Sequence, residues 1–166
     1  MDPVALRDLY DHHAWSTDRL LARALEVAPE QAAQPWGAAG GLTAILDHIL
    51  SAERAWLTRF QARSRVPWGD ANTVVEVQGR WFGLQAEVRA FLADLEPADL
   101  DRHIVRNPHP RDRGTLGVGI THVIMHAAQH TAEAAELLTQ LGHSPGQLDY
   151  MEFLDIRELL PPGGAG

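Results

Sequence analysis

The chain has 166 residues, with 14 positive and 22 negative side chains for a formal net charge of −8, and 45 % of its residues are hydrophobic. That length and balance describe a single globular domain and exclude a disordered or fibrous chain. The acidity argues against a nucleic-acid partner, and without a signal-like N-terminus or an apolar run of ~20 residues a cytoplasmic protein with no membrane contact is expected.

In chain order, Pro3 suits a first helical turn, and Leu6, Tyr10, His13, Thr17, Leu20 and Ala24 recur at helical spacing, which predicts an amphipathic helix over 3–28. Residues 29–41, rich in proline and glycine, read as a loop. A second helix over 43–63 carries Ile45, Ile49, Ala52, Trp56 and Phe60 on one stripe and stops before Pro67-Trp68-Gly69. Thr73-Val74-Val75-Glu76 has the form of a capping box and opens a third helix to Leu95. Residues 96–114 read as a long crossover with an extended piece at Ile104-Val105. Thr115 caps a fourth long helix that Gly142 terminates after Leu141, a short fifth helix fits 147–160, and 161–166 is a flexible tail. The fold class expected is all-α: a four-helix bundle over 1–160, with a long crossover loop before the last long helix and a short C-terminal helix.

All 14 positive residues are arginine and there is no cysteine. Lysine-dependent Schiff-base and Walker-type chemistry, disulfides and Cys-ligated metals are thereby excluded, and any metal must use His, Asp or Glu. Of nine histidines, His122, His126 and His130 recur at i, i+4, i+8. One turn apart, two imidazoles can meet one ion at about 2.0–2.1 Å, whereas three in a row span about 12 Å of axis. A site is therefore expected to use one adjacent pair and a ligand from another helix. On a helical wheel His130 lies about 55° from the centre of the apolar face, His126 about 95° and His122 about 135°, so 126 and 130 face inward best and His122 falls half-exposed or at a helix boundary. His48 sits between Ile45 and Ile49 on the apolar stripe of the second helix, where a neutral ring must be hydrogen-bonded or bind something. His48, His126 and His130 then form a His₃ set with a coordination position left open, the pattern of a catalytic metal site. Taken singly, a buried histidine is more often a hydrogen-bonded core residue. His13, on the buried stripe of the first helix, reads as such a residue or as a further ligand. His103, His109 and His143 read as solvated loop residues. Glu53 and Glu133 lie near the His-bearing segments as candidate orienting acceptors or general bases, with His13 a third candidate proton acceptor, although a solvated carboxylate is the commoner role. Trp15, Trp56, Trp68 and Trp81 read as packing residues. Imidazole ligation suits Zn, Ni, Cu or Fe.

Three segments resemble the DinB/YfiT family of metal-binding four-helix bundles. They are Tyr10-Asp11-His12-His13-Ala14-Trp15 with Arg19-Leu20-Leu21, Asp47-His48-Ile49-Leu50-Ser51-Ala52-Glu53-Arg54-Ala55-Trp56-Leu57, and His122-Val123-Ile124-Met125-His126-Ala127-Ala128-Gln129-His130. Leu141-Gly142 followed by Pro145 and Asp149 fits the family's ending. The resemblance implies the same triad, His48, His126 and His130, with a divalent ion such as Zn²⁺ or Ni²⁺, and a homodimer. It further implies thiol-dependent S-transferase or isomerase chemistry on a small-molecule thiol and an electrophilic substrate. Since an open metal site can activate either a water or a thiol, a metal-dependent hydrolase and a metal-dependent thiol S-transferase are both expected, the resemblance favouring the second, and the rival is a non-catalytic, stress-related dimeric metal-binding protein. Members commonly continue after the last histidine with Arg-Gly-Gln, where this chain has Thr131-Ala132-Glu133. A contact made by that Arg or Gln would be missing here.

Overall fold

The computed structural model describes residues 2–37, 40–64, 67–104 and 114–159, the side chain of Leu159 excepted. Helix α1 (Pro3–Ala24) starts on an Asp2 cap whose carboxylate accepts from the Val4 N–H at 3.0 Å, with Pro3 where its missing N–H costs nothing. It ends at Ala24, short of the predicted 28, where the Glu26 and Val27 N–H groups turn to carbonyls three residues back, at Arg23 and Ala24; Ala28, ahead of a proline, is extended at ψ 136°, and Pro29 opens a separate short helix, α2 (Pro29–Ala32), inside the expected loop. Helix α3 (Leu42–Phe60) also stops before its predicted end. Ala62 takes a left-handed φ of 53°, and the N–H groups of Ala62 and Arg63 bond back to Arg59 and Thr58. This is the usual glycine-type helix stop carried by an alanine, at a strain of about 1 kcal/mol, which is why no residue marks it.

Helix α4 (Val74–Ala93) begins on Thr73, whose hydroxyl accepts from the Glu76 N–H. The reciprocal bond expected at Thr73 falls one residue earlier, where Glu76 accepts from the Asn72 N–H at 2.7 Å. In the crossover, a 3-10 turn (Pro97–Asp101) leads to β1 (His103–Ile104), which pairs antiparallel with β2 (Gly114–Thr115), Ile104 facing Gly114. The extended piece thus begins one residue before the predicted position. Val105, His109 and the flexible tail expected over 161–166 lie outside the described residues. Thr115 caps α5 (Leu116–Gln140) through the Val118 N–H, and Gly142, at φ 85°, closes it with the Gly142 and His143 N–H groups bonded to Thr139 and Leu138. Helix α6 (Tyr150–Leu159) folds back onto α1, where Asp8 accepts hydrogen bonds from both Tyr150 and Arg157.

The four long helices form an all-α bundle in which α1 and α3 are diagonal, each packed against both α4 and α5. Leu6, Leu20, Leu46, Leu50, Trp81, Leu116 and Leu138 are essentially sealed in the core. At about 1.5–3 kcal/mol for each large apolar side chain, this burial is the main term holding the bundle together. The most extensive contact is α3 on α5, which are the two helices that carry the candidate histidines. No described helix is long and apolar enough to cross a membrane.

Candidate metal centre

His126 and His130 stand one turn apart on α5, so their rings share a flank of that helix. His48 comes from α3. The structure brings these three together: one ring nitrogen from each lies within 4.8 Å of the others. Centroid separations are 5.0 Å for 48 and 126, 4.6 Å for 48 and 130, and 4.5 Å for 126 and 130. Nε2 of His48 and Nε2 of His126 are 3.2 Å apart. Three nitrogens on bonds of about 2.05 Å to one tetrahedral ion would sit about 3.3 Å from each other, so the donor set fits a divalent ion. The fit extends outward, because His130 donates from Nδ1 to Glu133 Oε2 at 2.7 Å, which leaves Nε2 as the nitrogen with a free lone pair. Gln129 in turn donates to the other Glu133 oxygen at 3.5 Å.

His48 departs from its expected environment. It is exposed, while Ile45 and Ile49 on either side are buried. The buried face of α3 runs through Leu42, Leu46, Ile49, Leu50, Glu53, Leu57 and Phe60, and its centre lies about 145° from position 48, so the ring projects away from the core. His126 and His130 are half-buried, and His122 is exposed with its ring 5.1 Å from that of Trp56.

Partial loss of hydration, followed by the neighbouring His130 ring, holds the His48 pKa below the ordinary imidazole value of 6.5, and the same two causes act on His126. The hydrogen bond from His130 keeps the Glu133 carboxyl below its usual range. Both histidines therefore stay neutral, and able to ligate, to lower pH than a free imidazole. The unfolded chain takes up those protons near pH 6.5 and the folded one only below it, so the stability of metal-free protein should decrease as pH falls from 6.5. Urea midpoints at pH 7.5 and 5.5 check this: the drop should shrink in a His48→Gln/His126→Gln variant, and an equal drop there would show that other groups carry it. Glu133 titrates below this window.

His48 and His130 of the triad line a groove of about 720 Å³ whose polar lining includes Asp47, Ser51, Asp70 and Asn72. Asp70, Ala71 and Asn72 form one wall. Arg80 anchors it by bonding the Gly69 carbonyl and Asp47 Oδ1, each at 3.0 Å, while Trp68 lies 4.2 Å from Arg54 and 5.5 Å from Arg80 in cation–π contacts. Asp47, Arg80 and this wall were not singled out from sequence, because nothing local links residues 47, 69 and 80. The Pro67-Trp68-Gly69 break was the sole trace of the loop.

Glu53 and His13 lie with each other rather than with the triad. Glu53 is 2 % exposed and accepts from Tyr10 at 2.8 Å and from His13 Nε2 at 2.9 Å. Tyr10 reaches this carboxylate from the diagonal helix, and burial, then the Glu53 charge, push its pKa well above the ordinary tyrosine value, so it remains a donor. Trp81 packs edge-on against His13 and donates to Asp18. Of the expected loop histidines, His103 is exposed in β1, whereas His143 is half-buried with Nδ1 3.3 Å from Glu26.

Three imidazoles from two helices of a bundle are the arrangement that the resemblance implied, and comparison with known proteins decides the assignment. The sequence pattern that defines the DinB family matches residues 1–162. The chain belongs to the DinB family. No curated protein is similar enough to count as a match. In this DinB chain the three residues after the last histidine have separate roles: Glu133 orients His130, Ala132 lines a pocket beside α1, and the Thr131 hydroxyl is buried with no hydrogen-bond partner.

Proposed function

We propose that this DinB protein binds a divalent ion, zinc or nickel, through His48, His126 and His130, and that it is a metal-dependent enzyme of thiol S-transferase or hydrolase type. The observation that carries the reading is the meeting of three imidazoles, two of which, His48 and His130, line a groove, a neutral donor set that leaves part of an ion's coordination sphere for substrate. An ion held there would supply Lewis acidity, lowering the pKa of a thiol or water brought into the groove. The chain's own residues do the rest. Glu133 fixes the tautomer and orientation of His130, and Arg80 holds Gly69, next to the wall of residues 70–72, in place. The carboxylate of Glu133, next to the triad, is the better placed of the two glutamates to take up a proton, since both donors that reach Glu53 are internal. With no cysteine in the chain, thiol chemistry requires an external low-molecular-weight thiol. We place the protein in the cytoplasm as a homodimer.

The test is turnover of N-acetylcysteine with 1-chloro-2,4-dinitrobenzene, and separately of a p-nitrophenyl ester, by untagged protein that has been chelated and then reloaded with Zn²⁺ or Ni²⁺. In the first reaction a C–S bond forms, the C–Cl bond breaks, chloride leaves and the thiol proton goes to solvent. Turnover that vanishes on chelation and returns with the ion supports the enzyme. Turnover indifferent to chelation overturns it, and tight stoichiometric metal without turnover on a wider panel favours the non-catalytic, stress-related binding protein.

A further inference from the structure

A second pocket, of about 220 Å³, lies between α1 and α5 and under residues 146–148, on the side of α5 that carries Thr131. Its wall is held firmly. Arg19 donates twice to the Pro145 carbonyl, at 3.2 and 3.0 Å, and His12 Nε2 donates to the Leu148 carbonyl at 2.8 Å. The lining is mostly carbon, from residues such as Ile124, Ala128, Ala135 and Leu148, and contains no arginine or carboxylate. The two histidines in it already use Nε2 on the Leu148 carbonyl and on Glu53. The pocket therefore suits a neutral molecule. A cavity of about 150 Å³ lined by apolar side chains takes up benzene, so a ring with a substituent fits this one.

Thr131 supplies a specific feature. A threonine inside a helix ordinarily satisfies its hydroxyl by donating to the carbonyl four residues back, and Thr58, Thr121 and Thr139 all do so here, each at 2.8 Å. Thr131, which is 8 % exposed and part of the pocket wall, does not, and its oxygen has no hydrogen-bond partner. A rotation of about 120° to a neighbouring staggered rotamer would carry its hydroxyl to the position now held by its methyl, and the methyl to that of the Cβ hydrogen. We infer that the pocket between α1 and α5 is a second ligand site, for a small neutral hydroxyl compound of phenol size whose oxygen pairs with the Thr131 hydroxyl.

Phenol and toluene, which differ by the hydroxyl, test this in metal-free, chelated protein, so the outcome is independent of the triad. Binding is followed by amide chemical shifts. Phenol should perturb residues of α1, α5 and 146–148 and bind more tightly than toluene. The shape-preserving Thr131→Val should weaken phenol by about tenfold, as expected for one lost hydrogen bond, and leave toluene unchanged. Filling the rim with Ala132→Phe should abolish both. Phenol shifts confined to the groove beside His48, no binding at all, or equal affinities of phenol and toluene in wild type and Thr131→Val would each overturn the site. In the last case the pocket would be merely apolar.

Discussion

Untagged protein should purify with one divalent ion per chain, and His48→Ala, His126→Ala and His130→Ala should each reduce that content to background. The argument is one of donor count. Three imidazoles with nitrogens within 4.8 Å can share one ion, and removing any of them leaves two neutral donors, which would hold zinc or nickel weakly at neutral pH. Since His48 is exposed and His126 and His130 are half-buried, the metal-free variants should unfold within about 0.5 kcal/mol of wild type, the range of ordinary surface substitutions. Glu133→Ala should retain the ligands but free the His130 ring, lowering affinity by about 10–100-fold. Metal analysis after dialysis against a competing chelator measures both effects. An unchanged metal content in His126→Ala would remove the triad from the account.

The largest loss of stability should follow Glu53→Ala, at about 3–5 kcal/mol. Its carboxylate is sealed in the bundle centre and accepts from two groups of α1, so truncation leaves the Tyr10 hydroxyl and the His13 N–H unpaired and a void where the side chain was. Each orphaned donor costs about 1–3 kcal/mol, and Tyr10→Phe, which takes one of two donors from the buried Glu53 carboxylate, should cost about 1.5–3 kcal/mol, less than truncating the carboxylate itself. For a chain of this length the Glu53→Ala change corresponds to a fall in Tm of roughly 10 °C. Denaturant unfolding of the metal-free proteins gives the comparison. Unchanged metal content in folded Glu53→Ala is the companion result, because this carboxylate bonds to α1 and has no contact with the triad. A loss of less than 1 kcal/mol would mean that water or a neighbour replaces the carboxylate.

Sequence by itself determined what is local. The 3.6-residue period places His126 and His130 on one flank of α5, the caps at Thr73 and Thr115 and the stop at Gly142 mark helix ends through their own side chains or backbone freedom, and a chain without cysteine leaves imidazole and carboxylate as metal donors. Where the backbone stop fell on Ala62, an ordinary helix former, the same logic had nothing to detect. Sequence names His48 as the third ring, but on the premise of a place on the apolar stripe, and tertiary structure decided how it reaches the other two. On its own helix His48 points well away from the buried centre, and only the packing of α3 against α5 turns that flank toward His126 and His130. It likewise separated the two glutamates, since a carboxylate's partners depend on which helix lies opposite: Glu133 met the ring one turn behind it, and Glu53 met Tyr10 and His13 across the bundle axis. Periodicity fixes the direction of a side chain relative to its helix axis, but not the neighbour that the helix is packed against.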